Sequence, residues 1–366
     1  MALRILHIVT NADLGGAPRV VTELANRASR DGHACAVASV PEGPLWEGLL
    51  PSVERIRLLW LRREIEPLVE IRAWFELRRL FGAWKPDIIH LHSSKVGVLG
   101  RLASGARAQS IVYTIHGFDT ILKSYRAFLP LERMLAGRCG ALVPVSDYDA
   151  RSLMAARIGG AHHLIRNGVT DRRGRKGGDA GAIEAFGAAR AAGAKVVLCI
   201  ARLARPKRFD LFVEVARRFE AREARFFWIG NVPGSLEEAG IVAPPNAVFL
   251  GELPEAGNYA NYCDVFLLLS DYEGLPMSVL EAMSCGKPVV ASKVGGLSEA
   301  LGADCGALVD NEVGPVESAL RELLEPGRAA RAGEAARGRY EASFSAEAMW
   351  ENYFELYGSI VGRALD

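Results

Sequence analysis

The sequence has little cysteine, no long apolar run and almost no net charge. Six cysteines stand singly at positions 35, 139, 199, 263, 285 and 305, with no C-x-x-C pair. That scatter argues against a disulfide framework or a cysteine-rich metal site, and it predicts buried, reduced thiols in a cytoplasmic protein. No stretch reaches the roughly 18 uncharged apolar residues of a membrane span. The first apolar run, residues 5–9, contains His7 and gives way to Asn11 and Asp13, so no export signal is expected. The dinucleotide fingerprint G-x-G-x-x-G is missing. Histidine is absent beyond residue 163. A formal net charge of +1 argues against a nucleic-acid partner held by bulk charge. That average joins unlike halves. Residues 1–168 hold 22 Lys+Arg and 15 Asp+Glu, whereas residues 169–366 hold 22 and 28.

What is present is regular. Apolar, β-branched runs at 4–10, 34–40, 87–92, 110–116 and 141–146 alternate with helical segments near 17–30, 64–84, 94–105, 125–138 and 147–157. Residues 170–194, rich in Gly, Ala and charge, read as an exposed connection followed by a helix. The alternation then restarts with strands at 195–201, 225–230, 247–251, 264–270, 288–292 and 306–310, and helices at 208–222, 255–261 and 276–285. The last helical segment carries Trp350, Tyr353, Phe354 and Tyr357. Short buried strands separated by helices predict an α/β protein with two doubly wound parallel sheets. The expected divisions are 1–168, 169–343 and a terminal helix, 344–366. Ligands of such sheets sit beyond the carboxyl ends of the strands, so a cleft between two facing sheets is the expected site.

Four constellations point to chemistry there. In DYEGLPMSVLEAMSCGKPVV (271–290), Glu273 lies in the loop after a strand, and Pro276 suits the first turn of the following helix. That helix start, Gly274, Leu275, Pro276, Met277 and Ser278, aims backbone N–H groups at the site and favours an anion such as a diphosphate. Glu281, eight residues after Glu273, is placed to take two hydroxyls of a ribose. Either Glu alone is more often a solvated or capping residue; the combined pattern is what carries weight. In IARLARPKRFDLF (200–212), Arg202 follows a strand and Lys207 opens a helix, and two cations at a sheet edge suit a phosphate-rich ligand. Surface charge explains them equally well in isolation. Gly15 and Gly16 separate the first strand from the first helix and let a ligand approach the backbone, unless they form a simple tight turn. His116 ends a strand in TIHGFDT, where it can donate to a substrate oxygen or move a proton. His90 and His92 also end a strand, so position alone does not select His116, and a satisfied core or rim histidine is the ordinary alternative. Asp147-Tyr148-Asp149 spells D-x-D, but it opens a helix after a strand. Helix capping explains it, and no metal is expected.

Together these segments resemble glycosyltransferase family 4, retaining enzymes of the GT-B fold. The resemblance spans essentially the whole chain: GGAPR, KPDIIHLHSSKVGVLGRLA (85–103), HGFD, VSDYDARSL, IRNGV, ARLARPKR, the E-x7-E segment and VGGLSEAL (294–301) occur in that family's order. It implies that the second domain binds a nucleotide-sugar, with UDP as the default nucleotide, and that the first binds the acceptor. Arg202 and Lys207 would then hold the diphosphate and Glu281 the ribose. Glu273 would contact donor-sugar hydroxyls with the backbone of 274–278, Gly16 would abut the phosphates, and His116 would touch the sugar near the reacting centre. The resemblance also implies a nucleotide-sugar donor carrying a hexose or N-acetylhexosamine, serving as co-substrate without a cofactor. The terminal helix would cross back onto the first domain. The chain departs from the family where Gly230-Asn231-Val232-Pro233-Gly234 replaces a G-x-G-P turn, and where Asp304-Cys305-Gly306 precedes the run at 306–310.

Residues 54–85 hold eight Lys/Arg among Trp60, Trp74, Phe75 and Trp84. Arg and Trp interleaved on a helix suit an anionic lipid interface, although an amphipathic helix with a solvated basic face is the plain alternative. Trp74, Arg78, Arg79 and Lys95 are therefore assigned to an acceptor or membrane side. The expected protein is cytoplasmic and peripheral on the inner membrane face, and it extends a glycan or lipid-linked acceptor in cell-surface polysaccharide assembly. Two competing functions are a nucleotide-sugar epimerase or hydrolase on the same fold, and a bilobed ligand-binding protein without chemistry.

Overall fold

The computed structural model describes residues 2–62, 64–232, 235–238 and 240–362. The chain divides into two compact units, Met1–Gly168 with Ala346–Asp366, and Val169–Ser345. In the first unit the strands are β1 (Arg4–Val9), β2 (Ala34–Ser39), β3 (Glu54–Arg57), β4 (Ile88–His92), β5 (Ile111–Ile115) and β6 (Ala141–Pro144). They form one parallel sheet in the order β3-β2-β1-β4-β5-β6. The second unit holds β7 (Lys195–Ile200), β8 (Ala224–Ile229), β9 (Ala247–Phe249), β10 (Val265–Leu268), β11 (Val289–Ser292) and β12 (Gly306–Val309). Their order, β12-β11-β10-β7-β8-β9, repeats the same winding. In each sheet the strand order reverses beside the unit's first strand, between β1 and β4 and between β7 and β10. Such a reversal opens a crevice at the carboxyl ends of the two strands.

The apolar runs form these strands because both sheet faces are covered. Leu6 and Ile8 of β1 and Ile89 and Leu91 of β4 are fully buried in one cluster with Leu77 and Phe81 of the helix Pro67–Trp84. That helix buries Val69, Ala73, Leu77, Phe81 and Trp84, a stripe recurring every three or four residues. All six cysteines are buried and free. The helix Ala346–Val361 belongs to the first unit, where Trp350 and Phe354 lie 5.9 and 5.2 Å from His33, ring centre to ring centre.

Three local expectations need correction. Strand β3 was not expected, because ERIR shows no apolar alternation; it is a short, charged edge strand, which discourages further pairing. The helix expected over 125–138 is instead a 3-10 turn over Arg126–Phe128 followed by a short helix, Leu129–Leu135, the second after a separate one at Asp119–Ser124. Pro130 sits in the first turn of the second helix, where its missing N–H costs nothing, and it cannot continue a helix from upstream. The helix expected at 255–261 is a 3-10 turn, Ala256–Tyr262. In the connecting region, Asp179 caps the helix Ala180–Ala191 by accepting from the Ala182 N–H at 2.7 Å. Pro233 and Gly234 of the unusual turn after β8 lie outside the described residues.

Arg101, on the helix Ser94–Ala103, is fully buried. It donates to Glu132 Oε2 at 2.5 Å and to Gly97 O at 2.7 Å, and its guanidinium lies 4.7 Å from the centre of the Tyr113 ring. Removing one partner of a buried ion pair strands the other charge. Glu132→Ala is therefore expected to lower the unfolding free energy of the first unit by about 3–5 kcal/mol in urea denaturation. A loss below about 1 kcal/mol, the scale of an exposed pair, would contradict this account.

Candidate functional site

The crevice at the reversal of the second sheet is lined by the segments after β7 and β10. The two segments are stitched together: Arg208 N–H donates to Leu269 O at 2.9 Å and Asp271 N–H to Pro206 O at 2.9 Å. That pairing brings Lys207 beside Ser270. The Lys207 ammonium donates to Glu273 Oε1, and the Ser270 hydroxyl donates to the same oxygen at 2.5 Å. Ser270 is itself fixed. Its N–H donates to Ser292 Oγ at 2.8 Å and its carbonyl accepts from Asn311 Nδ2 at 2.9 Å. The Glu273 backbone is held from the other side by the turn at 295–296. A Cβ on Gly295, whose φ is +51°, would fall 1.8 Å from Glu273 O, so only glycine fits. Gly296 N–H donates to that same oxygen at 3.3 Å.

Pro276 precedes the helix Met277–Ser284, and no side chain caps it. Gly274, Leu275 and Met277 are buried, while Pro276 and Ser278 are half-buried. Glu281 is more enclosed than the sequence pattern suggests, at 7% exposure. Its carboxylate packs on Gly257, where a Cβ would come within 2.5 Å of Glu281 Cδ. Arg172 Nη2 lies 3.8 Å from Glu281 Oε1, and Arg172 also donates to Glu255. Arg202 is exposed beyond the end of β7. The neighbouring cations are differently placed: Arg205 pairs with Asp271 at 2.9 Å and Arg208 with Asp210 at 2.9 Å. Arg172, Ser270, Ser292, Gly295 and Asn311 all shape this site and were not singled out from the sequence. Only the glycine in VGGLSEAL carried a local signal.

In the first unit, alternation along the strands puts His7 of β1, His90 and His92 of β4, and Thr114 and His116 at the end of β5 on one face. His7 and His90 are register partners, as are His92 and Thr114. Ring nitrogens His7 Nδ1 and His92 Nε2 are 3.1 Å apart, and His92 Nδ1 and His116 Nε2 are 3.2 Å apart. His90 is engaged differently, with Nδ1 2.6 Å from Tyr357 Oη and Nε2 2.7 Å from Thr114 Oγ1. Thr114 Oγ1 is in turn 2.8 Å from Tyr353 Oη. Burial drives all four imidazole pKa values down from 6.5, His7 to about 3 and His116 to about 4, and His90 and His92 are lowered further by their ring neighbours. His7, His90 and His92 also place ring nitrogens within 4.8 Å of one another, a grouping that the sequence reading, which expected no metal, did not foresee.

The remaining candidates sort by environment. Gly15 and Gly16 are exposed at the start of the helix Gly16–Arg30. Gly15 has an extended φ of 174°, and a Cβ there would meet nothing closer than Pro18 Cδ at 3.8 Å, so the tight-turn explanation for it lapses. The D-x-D aspartates are structural. Ser146 caps the helix Asp147–Ala155, Asp149 accepts from Phe118 N–H at 2.7 Å and from Ser146 Oγ at 2.9 Å, and Asp147 accepts from Arg166 at 2.5 Å. Lys95 is tied down inside the unit by Glu70 at 2.6 Å and Glu64 O at 2.5 Å. Trp74 is half-buried against the core, with the exposed Arg78 guanidinium 5.6 Å from its ring centre. Arg79 is exposed, and beside it run the exposed Leu68, Ile71 and Phe75.

The sequence and fold have known counterparts. The family described as Glycosyltransferase Family 4 matches residues 14–173, and that described as Glycosyl transferases group 1 matches residues 194–326. The O-antigen biosynthesis glycosyltransferase WbnH of Escherichia coli is 26% identical over 97% of this chain and 98% of its own length. An E. coli UDP-Gal:alpha-D-GlcNAc-diphosphoundecaprenol alpha-1,3-galactosyltransferase is 25% identical over 80% of each chain. Among solved structures, Anabaena HepE in complex with UDP-glucose superimposes with a TM-score of 0.80 at 20% identity, over 98% of this chain and 100% of that one.

The neutral histidines make the first unit acid-sensitive. The unfolded chain protonates each ring near pH 6.5, whereas folded His7 and His116 resist protonation to about pH 3 and 4. Between those limits the unfolded state binds more protons, so stability is full above pH 6.5 and falls as the pH is lowered. Calorimetry is expected to show the melting temperature dropping from pH 7 to pH 5, before most carboxylates titrate. A melting temperature flat across that window would contradict the burial of four neutral rings.

Proposed function

The chain belongs to glycosyltransferase family 4, and from that membership we propose that it moves a hexose or N-acetylhexosamine from a UDP-sugar to a glycan or lipid-linked acceptor, with retention at the anomeric carbon and without a metal ion. The observation that carries this reading is the Lys207–Glu273–Ser270 cluster at the sheet reversal of the second unit. A diphosphate competes with Glu273 for the Lys207 ammonium. When it binds, the Glu273 carboxylate turns to donor-sugar hydroxyls, with backbone N–H groups of 274–278 beside it. Exposed Arg202 joins Lys207 in stabilising the charge that develops on the departing diphosphate. In a front-face route the acceptor oxygen bonds to the anomeric carbon on the face from which the diphosphate leaves, and the diphosphate takes the acceptor proton, so the configuration is kept. Glu281, steadied by Arg172, accepts two ribose hydroxyls. Gly16 admits the phosphates, and His116 meets the sugar. The engagement of Asp149 by Phe118 N–H and Ser146, and of Asp147 by Arg166, supports a metal-independent reaction, since both carboxylates already have partners within the unit. No cofactor is required beyond the nucleotide-sugar.

The relatives named for O-antigen synthesis and for a diphosphoundecaprenol substrate support an acceptor of the same kind. No helix among the described residues is long and apolar enough to cross a membrane. The outer face of the helix Pro67–Trp84, with Leu68, Ile71 and Phe75 beside Arg72, Arg78 and Arg79, suits peripheral contact with anionic lipid.

UDP in large excess over its dissociation constant is expected to raise the melting temperature by several degrees, with GDP and ADP weaker. Equal indifference to all three nucleotides would overturn the donor-site reading. Glu273→Gln is expected to lower kcat at least about a hundredfold with the melting temperature within a few degrees of the parent; parental turnover would show that the donor site lies elsewhere. In flotation, the protein is expected to bind phosphatidylglycerol vesicles at low salt and to release in high salt. Binding unchanged in the Phe75→Ser, Arg78→Glu, Arg79→Glu triple variant would refute the membrane surface.

A further inference from the structure

Behind His116, the histidines of the first unit hold an arrangement that the donor chemistry above leaves unexplained. His7, His92 and His116 form one unbranched chain through Nδ1···Nε2 contacts of 3.1 and 3.2 Å. Burial keeps all three rings neutral at pH 7. A neutral imidazole has one N–H and one lone pair. Each contact needs one of each, so the three rings share a single register. Either every ring carries its proton on Nε2 or every ring carries it on Nδ1.

The two registers differ only at the ends. His7 Nε2 and His116 Nδ1 are buried atoms with no hydrogen-bond partner among the described residues. With protons on Nε2, the chain strands an N–H on His7, a residue with no exposure at all. With protons on Nδ1, it leaves only a lone pair there and moves the orphaned N–H to His116 Nδ1, an atom that is also buried but belongs to a partly exposed residue at a strand end, where a ligand oxygen can accept from it. An orphaned N–H that neither solvent nor ligand can reach is the costlier defect. His90 does not offer an escape, because both its nitrogens are engaged by Tyr357 and Thr114. The same engagement argues against a cation among His7, His90 and His92, which would have to displace one of those bonds.

We propose that His7 and His92 are positioning residues that lock His116 in the Nδ1–H tautomer, so that His116 meets its ligand as a neutral hydrogen-bond donor to oxygen and not as a base. This rests on the sugar-contacting role of His116 given above. The lock acts through His116 alone; neither His7 nor His92 touches the ligand.

Two-bond proton–nitrogen correlation on the full chain labelled with 15N-histidine reads the tautomer directly and needs no substrate. At pH 7 the His116 signals, identified by their absence in His116→Gln, are expected to show a protonated Nδ1 and a bare Nε2. A bare Nδ1 in the parent protein would overturn the proposal, as would zinc, nickel or copper retained at one ion per chain. In kinetics, His92→Phe keeps the ring shape and breaks the chain. It is expected to lower kcat about tenfold or more with the donor KM within about twofold. His92→Asn, which keeps a polar nitrogen near the Nδ1 position, is expected to recover most of the loss. In a His116→Ala background, His92→Phe is expected to change kcat no further, and a full additional loss there would overturn the proposal. If the parent protein transfers no sugar at all, the proposed function fails while the tautomer measurement still stands or falls by itself.

Discussion

Three separate segments converge on Glu273. The side chain is gripped by Lys207 and Ser270, and the backbone carbonyl is met by the turn at Gly295 and Gly296. Each of these groups follows a different parallel strand, and parallel strands end on the same edge of a sheet. A carboxylate at the reversal point can therefore be fixed by a residue as far as 66 positions away in sequence without any dedicated scaffold. The candidate site of the second unit depends on this convergence. The segments after β7, β10 and β11 each leave the sheet in the direction that completes it.

The two units solve the same geometric problem with different chemistry. In the second, charge is concentrated at the strand ends and partly exposed, which suits a charged, transient occupant. In the first, the corresponding face carries neutral imidazoles, a threonine and two tyrosines, nearly all buried. Such a face offers direction without net charge. Charge at an exposed edge favours strong binding of a charged group, whereas buried neutral rings favour a fixed hydrogen-bond direction, and burial alone sets that difference.

The fold was legible because its signals are local. Runs such as VVLCI and VFLLL can only be buried strands, and the helices between them set the parallel winding. Glu273 and Lys207 were legible for a related reason, since each sits one short step beyond a recognisable strand. The partners that fix them were not. Ser292 and Asn311 look like any strand-end polar residues until the sheet order brings them to Ser270. Arg172 lies in a segment read only as exposed, basic connection, yet it is buried against Glu281. Position could not choose among His90, His92 and His116, and their separate roles appear only once register places His7 beside them. The strand Glu54–Arg57 escaped notice because an edge strand owes its conformation to its neighbour and not to its own apolar pattern.

The terminal helix also sets a timetable. Tyr353 and Tyr357 supply the hydrogen-bond partners of Thr114 and His90, so the sheet face of the first unit is finished by residues synthesised after the whole second unit. Residues 169–345 are synthesised in between, a delay of roughly ten to thirty seconds at about 5–20 residues per second. Throughout that interval the nascent first unit exposes a seam of polar ring atoms and the apolar surface around it. The second unit, continuous in sequence, is free to fold before the first is complete. The second unit can therefore be complete before the first, whose strands β4 and β5 gain these partners only when the helix Ala346–Val361 arrives.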